Sequence, residues 1–233
     1  VLHAVVYHLR RYNPNDIQLS RIDKDYILGF LDYLKTAKQT HTKKEKLLHV
    51  NTQVYYYKML RYCLNYAVSE ELISANPMNK IKNEEKPHKH RTEREYLTID
   101  ELRKLAQTPF YNGLLKKAFL FSCFCGLRHS DIIALTWGDI EMDDDGNSRL
   151  YIIQKKTKEA ISLPLSQEAI KQLPKREDAK EDDIIFKKLI TLGRTNEILP
   201  KWAEQAGIKK HITFHTARHT HATMLLTLGV DLY

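Results

Sequence analysis

Residues 80–95 read KIKNEEKPHKHRTERE. Ile81 is the one aliphatic side chain in this run, and Pro87 interrupts it. A charged stretch without an apolar face has no core to bury, so residues 81–95 read as a linker. The chain has 233 residues, and at about 150 residues per domain two modest domains are in range. The reading is therefore a domain over 1–80, a linker over 81–95 and a second domain over 96–233.

The first stretch carries helical patterns. Ile22, Tyr26, Ile27, Phe30, Leu31 and Leu34 recur near i, i+4 spacing, with Ser20 as the expected N-cap. A Lys-rich break follows at Lys35–Lys46. Val54, Tyr57, Met59, Leu60, Leu64 and Ala67 then mark a second long helix from near Asn51. Pro77 biases Asn76 away from helix and limits helix beyond it. These patterns predict a small helical bundle.

The second stretch alternates helix and strand signals. Thr98 and Glu101 form a capping box for a helix to about Gln107. Asn112 caps a helix through Leu115, Phe119, Phe121 and Phe124 that stops at Gly126. Ser130 is the expected cap of a short helix, Asp131–Leu135. Arg149–Gln154 and Ala160–Leu165 read as a hairpin around Lys155–Lys158. Ser166 caps a helix to about Leu173. Helices over Asn196–Gln205 and Thr216–Thr227 are closed by Gly207 and Gly229. The fold class is mainly α with a small antiparallel β-sheet, α+β.

Composition and motifs narrow the function. The net charge is +8. Residues 1–90 hold 15 Lys and Arg against 9 Asp and Glu, whereas residues 91–233 hold 22 against 20. A basic front half points to a polyanion, and nucleic acid is the commonest. No run of about 18 apolar residues exists, so no membrane partner is expected. The three Cys read as buried reduced thiols. No Gly-rich dinucleotide fingerprint, P-loop or nucleophile elbow occurs. Asp143–Asp145, beside Gly146 and Asn147, reads as a solvated turn. His211, His215, His219 and His221 form the densest His cluster, but Thr216 and Ala217 stand where a zinc-protease helix needs its Glu. No metal and no cofactor are therefore expected. No secretory signal begins the chain, and it lacks an initiator Met, so it is expected to be part of a longer protein.

Three basic sites remain. Arg128 follows the expected end of a buried helix at Gly126. Lys155, Lys156 and Lys158 sit on the hairpin turn, and His215 and Arg218 share one face of a helix N-terminus. Free amides and dipole at such an end favour an anion. Two Arg forks bind phosphate oxygens and oppose the negative charge that builds up in phosphoryl transfer. A Lys on a hairpin can protonate a leaving oxygen, and a His can take or give a proton.

Gly126-Leu-Arg-His-Ser-Asp131, the Lys156 hairpin ending Leu163-Pro-Leu165, and Phe214-His-Thr-Ala-Arg-His-Thr-His-Ala-Thr223 together resemble the tyrosine recombinase (phage integrase) family. Lys156 stands eight residues before Pro164, the register that selects it over Lys155 and Lys158. Ile73–Pro77 resembles the end of that family's core-binding domain, and Leu97–Leu102 the start of its catalytic domain. The resemblance implies a mobile-element, conjugative-transposon-type integrase that cuts and rejoins DNA through a 3′-phosphotyrosyl intermediate. It implies a helical, SAM-like core-binding domain and a catalytic domain clamping double-stranded DNA. Arg128 and Arg218 would hold the nonbridging oxygens, Lys156 would protonate the 5′-oxygen, His215 would assist proton transfer and Asp131 would support the site. It further implies a tetramer assembled on DNA, accessory DNA-bending factors and a bacterial, cytoplasmic, nucleoid-associated setting. The alternative is a non-catalytic DNA-binding protein that retains the clamp. The family's second His or Trp and its nucleophilic Tyr lie farther beyond Arg218 than the 15 residues this chain still has. Both are expected to be absent, which would leave these residues inactive by themselves, and Tyr233 is not expected to be the nucleophile.

Overall fold

The computed structural model describes residues 2–39, 45–91, 93–143 and 145–230. Its internal contacts divide the chain into two units, residues 1–92 and 93–233.

The first unit is built on α1 (Leu2–Tyr12), α2 (Lys24–Thr36) and α3 (Val50–Ser69). No spacing argument singles out α1, a short helix that buries only Val5 and His8. Ser20 is not the cap of α2. It lies in a 3₁₀ turn, Leu19–Arg21, and Asp23 caps the helix instead, accepting from the Tyr26 amide at 2.8 Å. Asp23 directly precedes the helix and adds a negative charge at its positive end, so it displaces the earlier hydroxyl. The long helix begins at Val50, where the His49 ring accepts from the Asn51 amide. Ile27, Phe30 and Leu34 of α2 form the core with Leu60 and Leu64 of α3 and with Met78. Met78 is delivered by the turn that Asn76 sets, its side chain accepting from the Met78 amide at 2.9 Å. Of the Lys-rich break, residues 40–44 lie outside the described residues. Flanking them, the Gln39 amide donates to the Lys46 carbonyl at 2.8 Å.

The charged stretch after residue 80 is anchored by polar groups. Ile81 is buried, and Glu85 pairs with Lys24 at 2.7 Å. Asn51 donates to the His90 carbonyl at 2.9 Å and accepts from its amide at 2.8 Å. Residues up to His90 thus fasten to the first unit without needing apolar side chains.

The second unit runs α4 (Ile99–Gln107), α5 (Gly113–Cys125), α6 (His129–Ile132), β1 (Ile140–Met142), β2 (Ser148–Ile153), β3 (Ala160–Pro164), α7 (Gln167–Ile170), α8 (Leu192–Gln205) and α9 (Phe214–Thr227). The sheet is antiparallel in the order β1-β2-β3. Its first strand, three residues long, is too short to show alternation and joins what the sequence reads as a two-stranded hairpin. Thr98 and Asn112 cap α4 and α5 as expected, and Ser166 caps α7, which stops at Ile170. Three helix starts differ from expectation. The cap of α6 is Arg128, so Ser130 lies inside that helix. Thr191 caps α8, which begins at Leu192, four residues before Asn196, and Pro200 lies within it. α9 begins at Phe214, two residues before Thr216.

α5 is apolar around most of its circumference and forms the centre of the core. Phe119 and Phe121 are fully buried with Trp202 of α8 and Phe214 of α9, each such side chain contributing about 1.5–3 kcal/mol on burial. Cys123 and Cys125 are buried within α5, whereas Cys63 is exposed on α3, against the expectation of three buried thiols. Burial pushes the Cys125 thiol up to about 12, which removes thiolate chemistry there. Among the described residues, no helix is long and apolar enough to cross a membrane.

Candidate active site

The site starts where α5 stops. Gly126 adopts φ +66, and the Ser122 hydroxyl donates to the Leu127 carbonyl at 2.7 Å. This sharp, buried turn places Arg128 at the N-cap of α6. Its guanidinium donates to Gln154 Oε1 at 2.6 Å, and the same oxygen accepts from the Thr157 hydroxyl at 2.9 Å. Asp131 is buried behind it. One carboxylate oxygen accepts from the Arg128 amide at 3.3 Å and the other from the Lys155 amide at 3.2 Å. Asp131 and Gln154 therefore couple the start of α6 to the β2–β3 turn, whose exposed tip carries Lys156. Gln154 was not singled out from sequence. The only available signal was a neutral amide directly before a Lys-rich turn.

α9 supplies the remaining groups. Arg218, half-buried one turn into the helix, donates to the Gly126 carbonyl. Desolvation, and then the charge of Arg128, lower its pKa, while Asp131 opposes them. His215 lies in the first turn and is exposed. Desolvation, and then the positive charges of Arg218, Arg94, Arg128 and Lys156, hold its pKa below the usual imidazole value. Hydrogen bonds from Arg218 to the Gly126 carbonyl and from Arg128 to Gln154 thus bring together the three separated segments that carry Arg128, Lys156, His215 and Arg218. Asp131 lies behind the pair of Arg forks.

Two further groups border this centre. The His219 ring meets His215 edge to face, with centroids 4.7 Å apart, and its pKa is lowered by desolvation and then by the neighbouring His215, Arg94 and Arg218. Arg94 acts on both imidazoles. Two nearby His residues turn inward, whereas His211 is exposed: His221 packs beneath Gly126, and the His129 ring hydrogen-bonds the Ile190 carbonyl at 3.2 Å. Among the described residues, no group of three or more His, Cys, Asp or Glu side chains is placed to hold a metal ion. Tyr233 lies outside the described residues. The chemistry on offer is a cluster of fixed cations around a neutral imidazole, suited to an oxyanion with several oxygens.

Family models cover both units of the chain. Residues 95–233 match the phage integrase family, and residues 1–86 match its SAM-like domain. The chain belongs to the phage integrase family. A tyrosine recombinase of Pseudothermotoga lettingae is 28% identical over 225 residues, covering 94% of this chain and 73% of that protein. The tyrosine recombinase XerC of Pelotomaculum thermopropionicum is 24% identical, covering 100% and 78%. The fold matches that of a lambda integrase dimer bound to a COC′ core site, with TM-score 0.70 at 20% identity over 97% of this chain and 78% of that one. The Tn1549 transposon integrase in complex with a circular intermediate DNA gives TM-score 0.71 at 15% identity, over 98% and 81%. The phage integrase family member described here is a tyrosine recombinase, an enzyme of site-specific DNA recombination.

Proposed function

We propose that Arg128, Lys156, His215 and Arg218 form the phosphoryl-transfer centre of this integrase, with Asp131 as its support. The joining of the Arg128, Lys156 and Arg218 segments beside the exposed His215 imidazole carries this reading. Arg128 and Arg218 grip the nonbridging oxygens of the scissile phosphate. Lys156, on its hairpin tip, delivers a proton to the departing 5′-oxygen. His215, neutral at pH 7, accepts or returns a proton at the nucleophile. The attacking group is a tyrosine, and the covalent 3′-phosphotyrosyl bond retains the phosphodiester energy until a 5′-hydroxyl reverses the attack. No cofactor enters this scheme.

The substrate is double-stranded DNA at attachment sites of a mobile element, clamped between the domains over 1–80 and 96–233 with 81–95 as linker. Assembly on DNA is tetrameric, with accessory DNA-bending factors, in the bacterial cytoplasm at the nucleoid. The net positive charge of residues 1–90 contributes backbone binding that weakens steeply with salt. In this reading the attacking tyrosine is neither Tyr233 nor any other of the 13 Tyr in these 233 residues, which bind DNA without forming an adduct. The test is a nicked suicide duplex followed by denaturing electrophoresis. A covalent band from the complete gene product, and none from these 233 residues, is expected. A band from the 233 residues that disappears in Tyr233→Phe would make Tyr233 the nucleophile. Binding with no band from the complete product would make this a clamp without catalysis.

A further inference from the structure

Arg94 belongs to no element and falls in a charged stretch that reads as linker, yet its position is fixed. Three residues on, the Leu97 amide donates to the buried Thr220 hydroxyl of α9 at 2.9 Å. Between them, the Tyr96 carbonyl accepts from Lys210 Nζ at 2.9 Å, and Lys210 is held by Glu101 at 2.6 Å. The segment is thus pinned to α9 at the buried Thr220. From that pin, three residues of extended chain reach about 10 Å. His215 lies five residues back along the helix, about 7.5 Å. His219 is the residue next to the pin. The exposed Arg94 side chain is thereby held within reach of both imidazoles, and its charge acts on each of them. It comes from a fourth segment, separate from α6, the hairpin and α9, and adds a further cation beside the centre.

We propose that Arg94 is a phosphate-contacting residue of the recombination centre, binding the DNA backbone at or beside the scissile phosphate from the segment that precedes α4. The proposal rests on the reading of that centre as a phosphoryl-transfer site. An anion held by Arg128 and Arg218 against the first turn of α9 leaves its outer side open to solvent, and Arg94 is placed to cover it. The groups that face His215 are Arg218 and His219 on its own helix, Arg128 at the start of α6, Lys156 on the hairpin and Arg94 itself. Removing one fixed cation from that set raises the pH at which His215 takes up a proton. It also removes one phosphate contact from the DNA footprint.

The experiment compares the wild-type chain with Arg94→Gln and Arg94→Lys. His215 is titrated by its imidazole NMR signal with and without inorganic phosphate, and affinity for a short DNA duplex is measured against salt. In wild type, phosphate is expected to raise the His215 titration point. In Arg94→Gln without phosphate, His215 titrates at higher pH than in wild type, and the slope of log K against log salt shrinks by about 0.9. Arg94→Lys keeps both wild-type values. Because Arg94 is exposed, all three proteins melt together. A wild-type His215 that ignores both phosphate and duplex defeats the reading of the centre itself. If wild type responds and Arg94→Gln leaves either the titration or the slope unchanged, the role of Arg94 is overturned while the centre stands.

Discussion

The Arg128 guanidinium and Gln154 are 26 positions apart in sequence and joined at 2.6 Å, the Gln side-chain oxygen accepting. The amide is buried, so its oxygen fixes one nitrogen of the fork and leaves the rest free for a ligand. Replacing it by an apolar isostere leaves the guanidinium without its guide. Gln154→Leu should therefore lower strand cleavage by the complete gene product about 100-fold, the cost of a small misplacement, with little change in DNA affinity. Equal losses in cleavage and binding would show that Gln154 serves the footprint rather than the aim of Arg128.

Arg218 and Lys156 should separate by substrate. Arg218→Lys keeps the charge and loses the planar fork that donates to the Gly126 carbonyl and that the proposed role requires at the phosphate. Cleavage should fall by orders of magnitude while DNA binding persists. Lys156→Ala should also block cleavage, but a 5′-bridging thiol leaving group, which needs no proton, should restore much of it. Rescue of Arg218→Lys and not of Lys156→Ala would invert the two roles.

Gly126 is constrained twice. Its φ of +66 is left-handed, and a Cβ would lie 2.6 Å from His221 Cδ2. Gly126→Ala should cost about 1–2 kcal/mol from backbone strain alone, and more from the ring. Gly113, at the start of α5, has nothing within 4 Å of a Cβ, and Gly113→Ala should be neutral or stabilising by up to about 1 kcal/mol. Chemical denaturation of the two variants checks the contrast.

Acid should weaken the fold through its histidines. Burial lowers the pKa of His8, His129 and His221 below the usual 6.5. Arg11 adds to the effect on His8 and Arg218 to that on His221, where a hydrogen bond to the Cys123 carbonyl opposes it. The unfolded chain then binds protons more readily than the folded one. Stability is complete above about 6.5 and is lost as pH falls from there towards the lowered folded values. Tm measured from about pH 8 to about pH 5 should decline only in the acid half, and His221→Phe should make that decline shallower. A Tm flat across this range would contradict the assignment.

The sequence by itself determined the helical halves, the β2–β3 hairpin and the residue types of the centre. Local chemistry suffices for these: Thr98 and Asn112 cap α4 and α5, Gly126 takes the left-handed stop, and the apolar run of α5 has to be buried. Arg128, Lys156, His215 and Arg218 were legible through motif and register. Only the tertiary structure decided what those groups touch. Asp23 rather than Ser20 caps α2, and Arg128 rather than Ser130 opens α6, because competing caps at neighbouring positions are ranked by the path of the chain around them. Gln154 was invisible because a lone amide has no periodicity and gains its role from a partner on another element. Arg94 was hidden in a stretch defined by its lack of apolar residues. What fixes its segment is long-range hydrogen bonding, from Leu97 to Thr220 across 123 positions of sequence and from Lys210 to the Tyr96 carbonyl across 114. Capping and helical periodicity act within a few residues, whereas the electrostatic field at His215 is a sum over groups that meet only once the core of α5, α8 and α9 has closed.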